Sequence, residues 1–265
     1  MNSMKVTLII VTYNRPDALG IILKSIRRQH VLPDEVIIAD DGSGPETAEL
    51  IREAARMFPV PLKQVWQEHK DFRAAAIRNR AIRESSGDFL IFSDGDLVFH
   101  PKFVYDYIRR SSSGTALIGS RLFLNPEATL HILKEGEFRG ISPLVSRSIA
   151  KNRLNSVRIP IPGIVVPTAN FSLRMRGGLL GVFRPDIERV NGWNESFTGW
   201  GLEDTELVAR LFNSGIRFKK MKFAGLTYHL WHPEADRNSL GSNRELLQKT
   251  VNEKLTWCSH GIVTD

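Results

Sequence analysis

Residues 5–15 read Lys5-Val6-Thr7-Leu8-Ile9-Ile10-Val11-Thr12-Tyr13-Asn14-Arg15. A short continuous apolar run, Lys5–Val11, stops at a polar cluster. Pro16 follows, with Leu19, Ile22, Leu23 and Ile26 at helical spacing. A run of strand length with no polar alternation describes a strand covered on both faces. Pro16 suits a first helical turn, where its missing N–H would have no partner anyway. Strand-then-helix recurs down the chain. Glu35–Ala39 precedes a helical stretch to about Met57, Leu62–Trp66 precedes a helix over Ala74–Glu84, and Phe89–Phe92 is a fourth strand. Such alternation argues for α/β architecture with a mostly parallel central sheet flanked by helices.

The second half is less regular. Phe103, Val104, Tyr107 and Ile108 predict an amphipathic helix, and Ala116–Gly119 a short strand. From about Arg121 to Val166 the periodicity fades while Pro126, Pro143, Pro160, Pro162 and Gly163 recur, which reads as a long functional loop or lid with some helix. Helical pattern returns at Leu207, Val208, Leu211 and Phe212, and again at Leu247, Val251 and Leu255. No internal repeat divides the 265 residues, and one domain accommodates them.

Composition narrows the class. Apolar residues at 42% and charged residues at 25% are globular usage. The single cysteine, Cys258, has no disulfide partner in the chain, so a reducing cytoplasm is the expected compartment. Met1–Lys5 runs straight into the first strand with no cleavage site, and nothing approaches the ~18 apolar residues of a membrane span. The formal charge is +7 and the pI about 9.7. That charge is unevenly placed: between Phe138 and Pro185 there is no acid, while Arg139, Arg147, Lys151, Arg153, Arg158, Arg174, Arg176 and Arg184 all fall there. Such a stretch concentrates anions, whether phosphate, lipid head group or nucleic acid. No nucleic-acid motif accompanies it, and stacking aromatics are sparse there, so no nucleic-acid partner is expected.

In an open parallel sheet, ligands bind beyond the carboxyl ends of the strands. Three polar clusters occupy those ends: Thr12-Tyr13-Asn14-Arg15, Asp40-Asp41-Gly42-Ser43 and Asp94-Gly95-Asp96. Two carboxylates separated by Gly95 suit a hard divalent cation, Mn²⁺ or Mg²⁺, that bridges a nucleotide diphosphate, with Gly95 leaving room for ligand. No glycine-rich phosphate loop is present, so metal and arginines, Arg73 and Arg78 among them, must hold any phosphates. Further on, Phe197-Thr198-Gly199-Trp200-Gly201-Leu202-Glu203-Asp204 sets a tryptophan wall beside adjacent carboxylates at a helix start, a sugar platform with a general base. Tyr228-His229-Leu230-Trp231-His232-Pro233 adds two imidazoles suited to metal or phosphate.

At these residues the chain resembles the family 2 glycosyltransferases of the GT-A fold. Val11–Arg15, Asp40–Ser43, the Arg78-Asn79 pair and Asp94–Asp96 stand in that family's order and spacing. The Gly192–Pro233 segment is similar to bacterial chondroitin polymerase modules and β-1,4-galactosyltransferases. The resemblance implies one domain over 1–265, with a nucleotide-binding half (1–98) and an acceptor-binding half (99–265) that contains a variable 121–166 segment. It implies that Thr12, Asn14, Arg15, Asp41, Phe72, Arg73 and Arg78 line a UDP-sugar site, with Gly95 and Trp200 beside the donor. Asp94 and Asp96 would hold the metal, with His229 or His232 as the later ligand. Asp204 would be the base, with Glu203 beside it, in a single inverting displacement. Phe72-Arg73 departs from the Asn-Gly of many relatives, which leaves the contacts of that loop open.

The acceptor implied is a glycan or lipid-linked hydroxyl, as in bacterial surface polysaccharide or lipopolysaccharide synthesis. An anionic acceptor and peripheral attachment to the inner membrane face would use the basic stretch, and a soluble enzyme dispersed by its arginines is the alternative. A protein of the same fold that binds nucleotide-sugar or carbohydrate without turnover is the competing function.

Overall fold

The computed structural model describes residues 4–138, 140, 148–151, 158, 165–168, 171–173, 175, 177–233 and 240–263. Its first four strands are β1 (Val6–Thr12), β2 (Glu35–Asp40), β3 (Leu62–Trp66) and β4 (Phe89–Asp94), all parallel. They alternate with α1 (Pro16–Arg27), α2 (Pro45–Ala55) and α3 (Ala74–Glu84). The apolar runs are explained by burial on both faces. Leu8, Ile10, Phe89 and Ile91 pack with α1 in one core layer. Ile9, Leu90 and Phe92 enter a second layer with Ala75, Ile77, Ala81 and Ile82 of α3. Each such side chain contributes about 1.5–3 kcal/mol of burial. A one-residue slip of any strand would exchange its whole set between the layers.

The chain continues through β5 (Leu97–Phe99), α4 (Phe103–Arg110), β6 (Thr115–Ile118), β7 (Ser120–Leu124), α5 (Pro126–Glu135), β8 (Ile149–Lys151) and β9 (Val165–Thr168). It ends with β10 (Leu179–Phe183), α6 (Arg184–Arg189), α7 (Glu203–Asn213), β11 (Arg217–Met221), β12 (Leu226–His229) and α8 (Leu240–Asn252). The main sheet runs β3-β2-β1-β4-β10-β6-β11-β9, and a second one β5-β12-β7-β8. β10 lies antiparallel between β4 and β6, which brings its N-terminal end to the edge where β4 ends. Register places Thr12 opposite Asp40 and Val11 opposite Asp94, so the polar clusters after β1, β2 and β4 share one edge.

Two expectations are corrected. The segment read as loop or lid from Arg121 begins as β7 and α5, and contains β8 and β9. Asn125 caps α5 by accepting the Ala128 N–H (2.8 Å), and Gly136 ends it at φ +64°, so Pro126 starts a helix here and does not mark a loop. The terminal helix stops at Asn252, which leaves Leu255 outside it. Of the acid-free basic stretch, Arg139, Arg147, Arg153, Arg174 and Arg176 lie outside the described residues. Arg158 pairs with fully buried Asp106 (2.7 Å), and Arg184 donates to the Gly87 and Ser85 carbonyls (both 2.8 Å), so these two serve the fold. Among the described residues, no helix is long and apolar enough to cross a membrane.

Candidate active site

The turn after β1 interlocks with the one after β2. Asn14, at φ +47°, takes the Ser43 hydroxyl as acceptor for its N–H (2.8 Å) and offers Oδ1 to the Gly44 N–H (2.9 Å). Thr12 is buried, with its hydroxyl unpartnered. The Tyr13 ring stacks on His69, centroids 4.4 Å apart. Arg15 points aside to Asp17 (3.0 Å). Asp41 is buried and accepts from Gln67 Nε2 and from the Arg73 N–H (2.9 Å), so it organises the loop after β3. Half-exposed Phe72 accepts the Gly199 N–H through its carbonyl (3.2 Å), which joins that loop to the Trp200 segment. Asn243 of α8 donates to the Thr198 and Gly201 carbonyls (3.1 and 2.9 Å), bracing the segment from the other side.

At the end of β4, Asp94 is held by two guanidiniums. Arg78 Nη2 lies 3.0 Å from Oδ1, and Arg121 Nη2 3.2 Å from Oδ2. Arg78 also reaches Glu203 Oε1 (3.1 Å), so this buried side chain links β4 to the first turn of α7. Burial, with help from Asp96 and Asp204, pushes the Asp94 carboxyl upward despite both arginines. Gly178 makes this arrangement possible, since a Cβ there would lie 2.5 Å from Asp94 Oδ2 and 2.7 Å from Arg121 Nη2. Gly95 has a different role from the one expected. A Cβ would run into the Val11 carbonyl, so the space it leaves belongs to β1 and not to ligand.

Asp96 lies beside both imidazoles: His229 Nε2 is 3.2 Å and His232 Nε2 3.0 Å from its Oδ2. One ligand atom from each of the three falls within 4.8 Å of the others. Asp96 Oδ1 is buried with no hydrogen-bond partner. Burial opposes ionisation of Asp96, yet the bonds from His229 and His232 outweigh it and hold the carboxyl far below the usual carboxylate range. The Nδ1–H of His232 donates to the Pro233 carbonyl (2.7 Å), which orients the ring with Nε2 toward Asp96.

The base candidates open α7. Leu202, at φ +76°, turns the chain sharply into the helix, and the Glu203 and Asp204 carboxylates meet its positive end. Asp204 accepts the Gly177 N–H at Oδ2 (3.1 Å) and the Thr205 hydroxyl at Oδ1 (3.2 Å). Glu203 is buried with Oε2 unpartnered. Burial and the neighbouring Asp204 push its carboxyl up, and Arg78 opposes this. Trp200 stands about 40% exposed beside this turn, so its ring has surface to offer. Four carboxyl groups, Asp94, Asp96, Glu203 and Asp204, thus face two guanidiniums, Arg78 and Arg121.

The structure thus gathers Asp94, Asp96, His229, His232, Arg78, Glu203 and Asp204 in one cluster, and Thr12, Asn14, Asp41, Phe72 and Arg73 in an adjoining one. Arg78, expected to grip phosphate, binds Asp94 and Glu203, and Arg73 donates to the Glu68 carbonyl through Nη2 while its buried Nε has no hydrogen-bond partner. Arg121, Gly178 and Gln67 are additions. For Arg78 a signal existed, because it falls on the buried face of α3 with Ala74, Ala75, Ala81 and Ile82. For Arg121 there was none.

Comparison with known proteins agrees with this arrangement. The family model described as glycosyl transferase family 2 matches residues 7–173, and the model described as N-terminal domain of galactosyltransferase matches 168–233. Chondroitin synthase of Escherichia coli is 28% identical over 92% of this chain and 38% of its own length. The chain therefore spans well under half of that relative. Among solved structures, S. aureus TarS 1–349 superposes with a TM-score of 0.64 at 17% identity, covering 92% of this chain and 64% of that 1–349 chain. GalNAc-T7 with UDP, GalNAc and Mn²⁺ gives 0.67 at 13% identity, covering 94% and 48%. The fold is that of the GT-A glycosyltransferases.

Proposed function

The chain belongs to glycosyl transferase family 2, and from that premise we propose a metal-dependent, inverting transferase that moves a sugar from a UDP-sugar to a hydroxyl of a glycan or lipid-linked acceptor. The observation that carries this reading is the Asp96 carboxylate, with one oxygen between two imidazoles and the other buried and unpartnered. Asp96, His229 and His232 would hold the cation, and two imidazoles favour Mn²⁺ over Mg²⁺. When bound, that cation supplies positive charge to the diphosphate leaving group. Asp94 would join the ligand set through the lone pairs that its single bond per oxygen to Arg78 and Arg121 leaves free. It also orients those two guanidiniums toward the donor.

Asp204 takes the proton of the acceptor hydroxyl. Its two hydrogen bonds fix the carboxylate while leaving further lone pairs on both oxygens. Arg78 sets the distance between donor and base, because it binds Asp94 and Glu203 at once. The UDP and Mn²⁺ bound to GalNAc-T7, and the polysaccharide made by a chondroitin synthase, support the choice of donor, metal and product class.

The test is UDP release from a panel of UDP-sugars with Mn²⁺ and acceptor glycans, with calorimetry of UDP binding alongside. Asp96→Ala should fold and lose metal-dependent UDP binding. Asp204→Asn should keep UDP binding while turnover falls by ~10²–10⁴-fold. Unchanged UDP affinity in Asp96→Ala would remove the metal assignment, and UDP binding without release would leave a binding protein of the same fold.

A further inference from the structure

β12 ends at His229, and beyond it no strand ladder supports the chain that leads to His232. Two successive amides are held instead. The Leu230 N–H donates to the Asp96 carbonyl (2.9 Å), and the Trp231 N–H donates to Thr129 Oγ1 (2.8 Å). The first anchor comes from the turn that carries the metal-site carboxylate. The second comes from α5, in the stretch that the sequence presents as loop.

We propose that Thr129 is a positioning residue for the metal-binding loop: its hydroxyl fixes the Leu230–Trp231 peptide, one residue ahead of His232, and so aims that imidazole at Asp96. This rests on the metal reading above. Thr129 is 1% exposed, so its hydroxyl is shielded from competing water. α5 is itself fixed independently of the site. The Asn125 N–H donates to the Ser148 carbonyl (2.9 Å), Lys24 Nζ donates to the Gly136 carbonyl (2.7 Å), Arg28 pairs with Glu137, and Ile132 enters the core. A rigid helix therefore presents an acceptor to the amide of Trp231, the residue between Leu230 and His232. His232 Nε2 stands 3.0 Å from Asp96 Oδ2, and ligand atoms must keep such spacing within a few tenths of an ångström to share an ion. If Thr129 loses the hydroxyl, the Trp231 N–H must find water and the peptide plane is released.

Loss of a residue that orients a metal ligand typically weakens metal binding about 10–100-fold. Thr129 acts through one intervening peptide, so the lower end, about 10-fold, is expected. The experiment titrates the full chain with Mn²⁺ by calorimetry and by the electron paramagnetic resonance of the free ion. Thr129→Val removes the acceptor and keeps the shape, and Thr129→Ser keeps the acceptor. The Val variant should bind Mn²⁺ about 10-fold more weakly and the Ser variant within about 2-fold of wild type, with both metal-free melting curves close to wild type. Thr129→Ala replaces the Val variant should the latter fail to fold. Wild-type affinity in Thr129→Val overturns the proposal, and so does an equal loss in Val and Ser, which would assign the effect to packing. Wild-type protein that takes up no Mn²⁺ overturns the metal reading itself, and this shows before any variant is made.

Discussion

Arg210 has a fully buried guanidinium on the helix that presents Glu203 and Asp204. Its Nε and Nη2 meet Glu206 Oε1 and Oε2 at 2.8 and 2.7 Å, its Nη1 donates to the Val190 carbonyl, and Thr250 donates its hydroxyl to Glu206 at 3.0 Å. Arg210→Met retains most of the side-chain volume but leaves Glu206, itself 1% exposed, as a buried carboxylate with one hydroxyl for company. Breaking such a pair from one side costs about 3–5 kcal/mol. That is a large share of the roughly 5–15 kcal/mol that holds a domain folded. Replacing both partners, Arg210→Met with Glu206→Leu, removes the stranded charge and should recover most of the loss, since apolar substitutes for a buried pair are often neutral. Urea unfolding of the three proteins, followed by circular dichroism, gives the comparison, and a constant slope keeps the midpoints interpretable. A single variant within about 1 kcal/mol of wild type would refute the reasoning, as would a double variant no more stable than the single.

Two further outcomes are expected. Gly178→Ala forces Asp94 and Arg121 apart, so kcat/KM should fall at least about 10-fold, the scale of a lost positioning contact, while the melting temperature changes little; wild-type kinetics would show that the Asp94–Arg121 pair is dispensable. Glu35 stands buried at the start of β2. Burial raises its carboxyl, but bonds from the Ser86 N–H, the Thr7 and Ser86 hydroxyls and Lys63 outweigh this and leave it below the ordinary value. A carboxyl depressed by folding adds stability that is complete above its unfolded pKa, about 4.3, and is lost as pH falls through the folded value. Stability of Glu35→Gln should therefore decline less steeply than wild type below about pH 4.5, and parallel acid limbs would refute the assignment.

The parallel half of the sheet was legible because burial on both faces leaves an unbroken apolar run, as in Phe89–Phe92. The same rule hides the other strands. β11 reads Arg-Phe-Lys-Lys-Met, with Phe218 and Met221 buried while Arg217 and Lys220 face out, next to the edge strand β9. β5 is three residues long and starts one residue after Asp96. β10 contains Gly181, where a Cβ would strike the Tyr107 ring at 2.5 Å, so a strand-weakening residue marks close packing. In the site, Asp94, Asp96, Asp204 and the two histidines were legible because they flank strand or helix ends. Which oxygen meets which arginine depends on contacts between residues up to 125 positions apart, such as Arg78 with Glu203, and no local pattern encodes that.

Arg121 and Gly178 both abut the same carboxylate oxygen of Asp94. The chain thus leaves the site at one point and returns within a few ångströms of it, and the excursion is closed by the site itself. Closing a longer excursion costs only about 0.6 kcal/mol for each doubling of its length. Insertions or exchanges inside it are therefore tolerable provided that α5 and the strand pairing of β8 and β9 survive, and Asp94 stays where β4 puts it. Such a layout separates two rates of change in one molecule. The residues that hold the two ends are constrained by a shared oxygen atom, while the connections between them can vary in length as long as Thr129 and Arg158 keep their contacts.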